Sequence, residues 1–431
     1  MGKKSGNNAR NFPGRLGFKT AIVLLICMAF ITIPFYGCSN SVKFSDKATG
    51  ESSTNTGAST NVTSDTTTGT NTDNSTVGTT EGVTEQTSES SQESSDNGLS
   101  PAVKVKALYL TGWTVGGTTK LNHYVQLAKT TEINSYVVDI KDDDGYIGYK
   151  TLVPEAVAVG GWKSKYNVDK VIKTFHDNNV HVIGRLVCFK DPVLSSKKPD
   201  LAIKSTNGGV WKDSKGKTWL DPYNKDNWDY IIKVAKEAIG KGFDEIQFDY
   251  VRFPSDGKKT MYFGGSDKKK YEVINEFLAY AKKELAGTRV SADVFGIICE
   301  SPADSEGIGQ YLELVGKDVD YLSPMVYPSH YASGQIVNGV TFAKPDFKPY
   351  EVVYNSLAKA KKRIAAAGGA KAQMRPYLQD FTASWLGKGN YQAYGAEQVR
   401  QQIKAVYDAG YEEWIFWDAG NTYDESAFNK K

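Results

Sequence analysis

The sequence predicts a (β/α)8 barrel, preceded by an export segment and a long polar linker. Eight β-rich runs recur between residues 105 and 420, and amphipathic stretches with apolar residues three and four apart lie between them. No Gly-x-Gly-x-x-Gly follows the first run and no ninth run appears, which favours a closed barrel over a doubly wound sheet. Charged residues within the runs gather toward their C-terminal ends, the end at which barrels carry their sites.

The N-terminal elements come first. Lys3, Lys4, Arg10, Arg15 and Lys19 precede the apolar run TAIVLLICMAFITIPFYG, the opening of a secretory signal or an N-terminal anchor. Residues 1–38 are therefore an export segment, and the chain is expected on the extracellular face of a cell membrane, held through a lipid or an anchor. The run ends in FYGCSN, and a Cys after Gly there resembles a bacterial lipobox, which makes Cys38 the lipidation candidate. An uncleaved membrane helix is the alternative, because the run approaches the ~20 residues that span a bilayer. Residues 39–100 are rich in Ser and Thr and poor in large apolar side chains, so burial cannot offset the entropy of ordering them. They read as a disordered linker.

The barrel occupies residues 101–431. Its runs are VKALYLTGW (105–113), SYVVDIKDDDG (135–145), VHVIGRLVCFKD (180–191), EIQFDYVRFP (245–254), RVSADVFG (289–296), DYLSPMVYP (320–328), AQMRPYLQDF (372–381) and EEWIFWDAG (412–420). Residues 224–242, 270–287 and 396–410 have the spacing of crossover helices and end at Gly. Cys188 and Cys299 lie in apolar runs, and a domain of this size favours two buried thiols over a disulfide. A net charge of +3 does not point to nucleic acid, and the chain is read as a monomer.

Strand alternation assigns faces. In the fourth run Ile246, Phe248 and Tyr250 should pack on the helices, leaving Gln247, Asp249 and Val251 toward the lumen. The same arithmetic groups Asp139 with Lys141, Ser291 with Asp293, and Gln373, Arg375, Tyr377 and Gln379. Asp139 with Lys141 fits a neutralised structural pair or a substrate-positioning pair. Asp249 is a candidate functional carboxylate, because a purely structural core would use Val, Ile and Leu at that level. Arg252 falls on the helix side unless the chain bends before Pro254, and is expected at the rim, orienting a carboxylate or binding substrate.

The order of KALYLTGW, VVDIKDDDGYIGY, WLDP, YVRFP, SADVFG, LSPMVYPSHY and RPYLQDF resembles bacterial glycosyl hydrolase domain proteins, a barrel family distantly similar to α-amylase-type enzymes. The resemblance covers essentially the whole barrel. It implies a hydrolase acting on an extracellular or cell-wall polysaccharide, with Asp249 as nucleophile or oxocarbenium stabiliser and an acid supplied by Asp293 or, from the following loop, Glu300. Such chemistry takes one ionised and one protonated carboxyl, about 5–5.5 Å apart for retention of configuration and ~6.5–9.5 Å for inversion. Inward carboxyls on adjacent strands, ~4.8 Å apart, favour retention. Tyr327 and Trp417 resemble the sugar-stacking aromatics of such barrels, whereas strand alternation lets only one of Trp414 and Trp417 face the lumen. Arg185, Arg375, Gln379, Asp380 and Asp418 complete the expected substrate-binding set.

The sequence departs from better-known relatives. Where α-amylase-type enzymes carry an Arg two residues before the nucleophile and a His-Asp pair after the seventh strand, this chain has Gln247 and Gln379-Asp380. Val251 stands where barrel chitinases place a catalytic Glu, which argues against chitinase chemistry. His123, His176, His181 and His330 lack zinc-site spacing, and no Gly-x-Ser-x-Gly elbow or Walker loop is present. DIKDDDG has the acid density of a Ca²⁺ loop but no Glu at the twelfth position, so no metal or cofactor is expected. A barrel that keeps the groove without turnover, serving as a glycan-binding or envelope-interaction protein, is the competing expectation.

Overall fold

The computed structural model describes residues 102–431; the expected export segment, Cys38 and the expected linker lie outside the described residues. Eight parallel strand positions close into a barrel: β1 (Lys106–Leu110), β2 (Ser135–Lys141), β3 (His181–Val187), β4 (Glu245–Asp249), β5 (Arg289–Phe295), β6 (Tyr321–Met325), β7 (Gln373–Met374 with Tyr377–Gln379) and β8 (Trp414–Trp417). Each pairs with the next, and β8 pairs back onto β1. All eight predicted runs contain a barrel strand. The helices α1 (Thr118–Thr130), α2 (Val168–His176), α3 (Lys225–Gly240), α4 (Lys270–Glu284), α5 (Pro349–Ala366) and α6 (Ala396–Asp408) wrap the outside. The crossover after β5 is reduced to one turn, Leu312–Val315. Cys188 and Cys299 are free and buried.

The layering follows from side-chain pattern. In α3 the Asn224 side chain accepts from the Asp226 backbone N–H and starts the helix, and its buried stripe includes Trp228, Ile231, Ile232 and Ala235. Trp228 meets Phe277 of α4 with ring centres 5.8 Å apart, and Phe248 of β4 reaches the same ring at 5.5 Å. The barrel interior is a separate, smaller apolar cluster that includes Ala107, Tyr109, Val137, Ile183, Tyr377 and Ile415.

Strand β7 is broken at Arg375-Pro376. The Pro376 carbonyl accepts from Ile415 of β8, but proline has no N–H to give to β6, so the ladder lapses for one residue. The register on β6 is the same on both sides of Pro376, and Arg375, near the N-terminal end of β7, sits at the floor of the barrel and not at the mouth, correcting its expected place in the substrate set. Its guanidinium pairs with Glu245 and Glu413, each at 2.8 Å, and stacks 3.6 Å from the Tyr321 ring centre. Ser291 Oγ donates to Glu245 at 2.5 Å. Replacing Arg375 with Met strands two buried carboxylates, and chemical denaturation should register a loss of about 3–5 kcal/mol.

Candidate active site

Asp249 is the last residue of β4, and both of its carboxyl oxygens are engaged. Oδ2 accepts from Arg185 Nε at 2.9 Å and Nη2 at 2.5 Å, and Oδ1 accepts from the Tyr250 backbone N–H at 2.5 Å. The same guanidinium reaches across to β2, where Nη1 donates to Asp139 Oδ1 at 2.7 Å. Tyr109 completes the row by donating its hydroxyl to Asp139 Oδ2 at 2.7 Å. One cation thus spans two carboxylates inside the barrel. Burial, the largest influence, pushes Asp139 up to about 6 even though Arg185 pulls it down. Arg185 is held well above its ordinary value: burial opposes its charge, and Asp249 and Asp139 more than offset that.

Asp293 stands beside Asp249 on the adjacent strand. Gln247 pairs with Ser291 and Phe248 with Ala292, so the next rung brings the two aspartates side by side. Their environments differ completely. Asp293 is 1% exposed, and neither carboxyl oxygen has a hydrogen-bond partner. Burial first, and then the neighbouring Asp249, raise its carboxyl well above the usual range, which favours its protonated form. Tyr327 and Tyr377 are buried together in the apolar cluster of the barrel interior.

Glu300 lies elsewhere. It follows the short turn Gly296–Cys299, and its carboxyl accepts from the Asn338 backbone N–H at 2.7 Å. Burial raises it, while that backbone hydrogen bond and the Lys359 and Arg363 charges of α5 lower it, so its neighbours belong to the outer layer and not to the lumen.

Other expected residues are redistributed in the same way. Lys141 faces the helices, because a register shift between Asp139 and Lys141 breaks the alternation that grouped them. Its ammonium pairs with Asp191 at 2.6 Å with both side chains fully buried, and lies 5.1 Å from the Tyr230 ring centre of α3. Gln247 does point inward, but it accepts from the Tyr377 hydroxyl at 2.6 Å and donates to Ser323 Oγ at 3.4 Å, filling the layer beneath Asp249. Gln379 ties the loops after β6 and β7 together by accepting from the Ser329 N–H and donating to Asp346 and Phe381. Asp380 accepts from the Asp424 N–H and is pushed up to about 7, mainly by burial. Asp418 accepts from the Thr422 N–H, and burial raises it also.

The mouth is walled by aromatics. Trp417 lies 6.3 Å from Tyr109 in stacked orientation, 6.1 Å from Tyr327 and 5.3 Å from Phe381. Phe381 stacks on Trp385, which is 50% exposed and extends the wall into solvent. Trp414 turns outward, stacked on Phe428 at 5.9 Å. Sequence reasoning missed Phe381 and Trp385, since neither lies at a strand position whose face alternation fixes.

The opposite rim begins at Tyr250. Its φ of +48° is left-handed and costly for an aromatic residue, and it turns the chain sharply as β4 ends. Tyr250 therefore leaves the helix-facing side it was expected to occupy. Its ring instead packs edge-on against Trp219 at 5.7 Å, with Lys190 Nζ 4.7 Å from its centre. The same turn carries Arg252 to the rim. The acid-rich DIKDDDG loop also ends here, and its acids are matched by lysines: Asp142 with Lys165, Asp143 with Lys190 at 2.7 Å, and Asp144 with Lys217 at 3.2 Å. Among the described residues no cluster of His, Cys, Asp and Glu is arranged to hold a metal ion.

Residues 107–423 match the family described as "Putative glycosyl hydrolase domain". Among solved structures, the chain is similar to a hypothetical protein from Ruminiclostridium thermocellum at 68% identity, over 43% of this chain and 97% of that one, with a TM-score of 0.42. It is similar also to the PgaB (BpsB) glycoside hydrolase domain from Bordetella bronchiseptica at 13% identity, over 76% of this chain and 99% of that one, with a TM-score of 0.54. At that identity the second likeness speaks for the barrel fold. No curated protein matches the sequence. With the match running from β1 through β8, the chain belongs to this glycosyl hydrolase domain family.

Proposed function

We propose that the protein is a glycoside hydrolase that cleaves O-glycosidic bonds of an extracellular or cell-wall polysaccharide with the carboxyl pair Asp249 and Asp293. The observation that carries this reading is the contrast between two neighbouring carboxyls: Asp249 hydrogen-bonded to a guanidinium, Asp293 buried and without any partner. A pair of titratable groups driven apart by their surroundings is the usual basis of acid and base roles. Asp293 donates its proton to the leaving glycosidic oxygen. Asp249, on the adjacent strand, faces the anomeric carbon as nucleophile or as the charge that stabilises the oxocarbenium ion. Placement on neighbouring strands supports the short spacing of a retaining enzyme. The wall of Tyr109, Tyr327, Phe381, Trp385 and Trp417 suits the apolar C–H faces of sugar rings. Residues 1–38 export and tether the chain, with Cys38 as the lipidation position.

One observation favours a second reading, a barrel that binds glycan without turnover. The Asp293 oxygens are shielded from solvent and those of Asp249 are fully occupied, so neither is open to a substrate without local movement. Comparing wild type with Asp249→Asn on peptidoglycan and on plant and bacterial glycans separates the two. Loss of product with sugar binding largely retained is expected, because Asn keeps the shape but cannot act as nucleophile. Equal turnover in both proteins would overturn the role of Asp249, and binding without turnover in wild type would favour the second reading.

A further inference from the structure

Arg252 is unusual among the cations of this barrel. Its side chain is deeply buried, only 5% of the residue being exposed, yet no carboxylate among the described residues pairs with it. Three rings surround the guanidinium carbon, Phe295 at 4.3 Å, Tyr250 at 4.8 Å and Trp219 at 5.2 Å from their centres. Cation–π contacts of this kind are made by the ring faces and supply no hydrogen-bond acceptor atom. Of its N–H donors only Nη1 has a protein acceptor, the Phe253 carbonyl at 2.9 Å. Nε and Nη2 are left without a protein acceptor.

The acids nearby do not fill this gap. Asp213 accepts from the backbone N–H groups of Lys215 and Lys217 and from Trp219 Nε1, Asp256 accepts from the Ser214 N–H, and Asp143 is paired with Lys190. Asp249 is taken by Arg185. Burial disfavours the charge of Arg252 and outweighs the pull of Tyr250, Asp249, Asp256 and Asp213 at a distance. A desolvated guanidinium with open in-plane donors is matched by an anion with two oxygens in one plane or on one tetrahedral face. Arg252 lies on the loop leaving β4, three residues after Asp249, and touches Phe295 at the end of β5, two residues after Asp293. The open donors therefore belong to the same mouth as the carboxyl pair.

We propose that Arg252, boxed by Trp219, Tyr250 and Phe295, is a subsite for an anionic substituent of the glycan, a carboxylate or a phosphate ester, and that the substrate is an acidic polysaccharide. This rests on the reading of the barrel as a glycan-acting protein and deepens it, but its test reads binding and does not need turnover. Full-length protein is titrated with polygalacturonate, with the same polymer after reduction of its carboxyls to alcohols, and with a poly(glycerol phosphate) polymer beside a neutral glucan. Wild type should bind an anionic polymer about 10- to 100-fold more tightly than its neutral counterpart, the range expected for hydrogen bonds to a charged group. Which anionic polymer is preferred identifies carboxylate or phosphate. Arg252→Gln should lose that preference and keep wild-type affinity for the neutral polymers. Arg252→Lys, which keeps the charge but not the fork, should retain only part of it. Retained neutral-polymer binding and an unchanged melting temperature establish that each variant is folded. Equal binding of charged and neutral polymers by wild type, or full preference in a folded Arg252→Gln, would overturn the subsite. Preference without hydrolysis would leave it standing while the hydrolase reading fails.

Discussion

Replacing Asp293 with asparagine is expected to lower turnover by about 10²–10⁴-fold, the range typical of losing a general acid, while leaving thermal stability unchanged or slightly raised. The two halves of this result come from one fact. Asp293 is buried without a hydrogen-bond partner, and burial raises its carboxyl well above the usual range, so Asn replaces the protonated form that burial favours with a group of the same shape. What disappears is the transferable proton. An aspartate with a structural role would behave oppositely, because losing a needed carboxylate would lower the melting temperature together with activity. Steady-state kinetics with calorimetry on one preparation makes the comparison.

Arg185→Met should produce the largest loss of stability at the mouth, about 3–5 kcal/mol near neutral pH, because it leaves Asp139 and Asp249 buried without their shared cation. The loss should shrink on acidification. Burial already lifts Asp139 from an ordinary value of 3.8 to about 6 in the folded protein, with Arg185 opposing the shift. A raised carboxyl binds its proton more tightly folded than unfolded, so stability falls as pH rises through that window and is highest below it. Without Arg185 the folded value climbs further, and recovery on acidification begins at a higher pH than in wild type. Denaturant melts across the acid range measure this directly, and a deficit independent of pH would count against the shared-cation arrangement.

Much of the barrel was legible because its signals are local. Eight runs of alternation and helical spacing needed no long-range information, and Phe248 and Asp249 took the faces that period two assigns them. Alternation fails where the backbone is irregular. The bulge after Asp139 turned Lys141 to the helices, and the left-handed Tyr250 redirected the rim. Neither advertises itself in sequence. A non-glycine residue with positive φ gives no compositional warning, so the box around Arg252 depended on three-dimensional placement. Glu300 was a plausible acid by proximity along the chain, but the turn Gly296–Cys299 carries it toward α5.

Protonation of the Asp293 carboxyl is the most direct test of the central claim that two neighbouring aspartates are held in opposite charge states. Carboxyl ¹³C resonances, assigned by comparing wild type with Asp293→Asn, can be followed against pH. Asp293 should remain protonated through the range in which ordinary aspartates ionise, and its titration should move downward in Asp249→Asn, since removing a neighbouring negative charge eases ionisation. Ionisation of Asp293 in the ordinary aspartate range, unaltered by the loss of the Asp249 charge, would contradict the account.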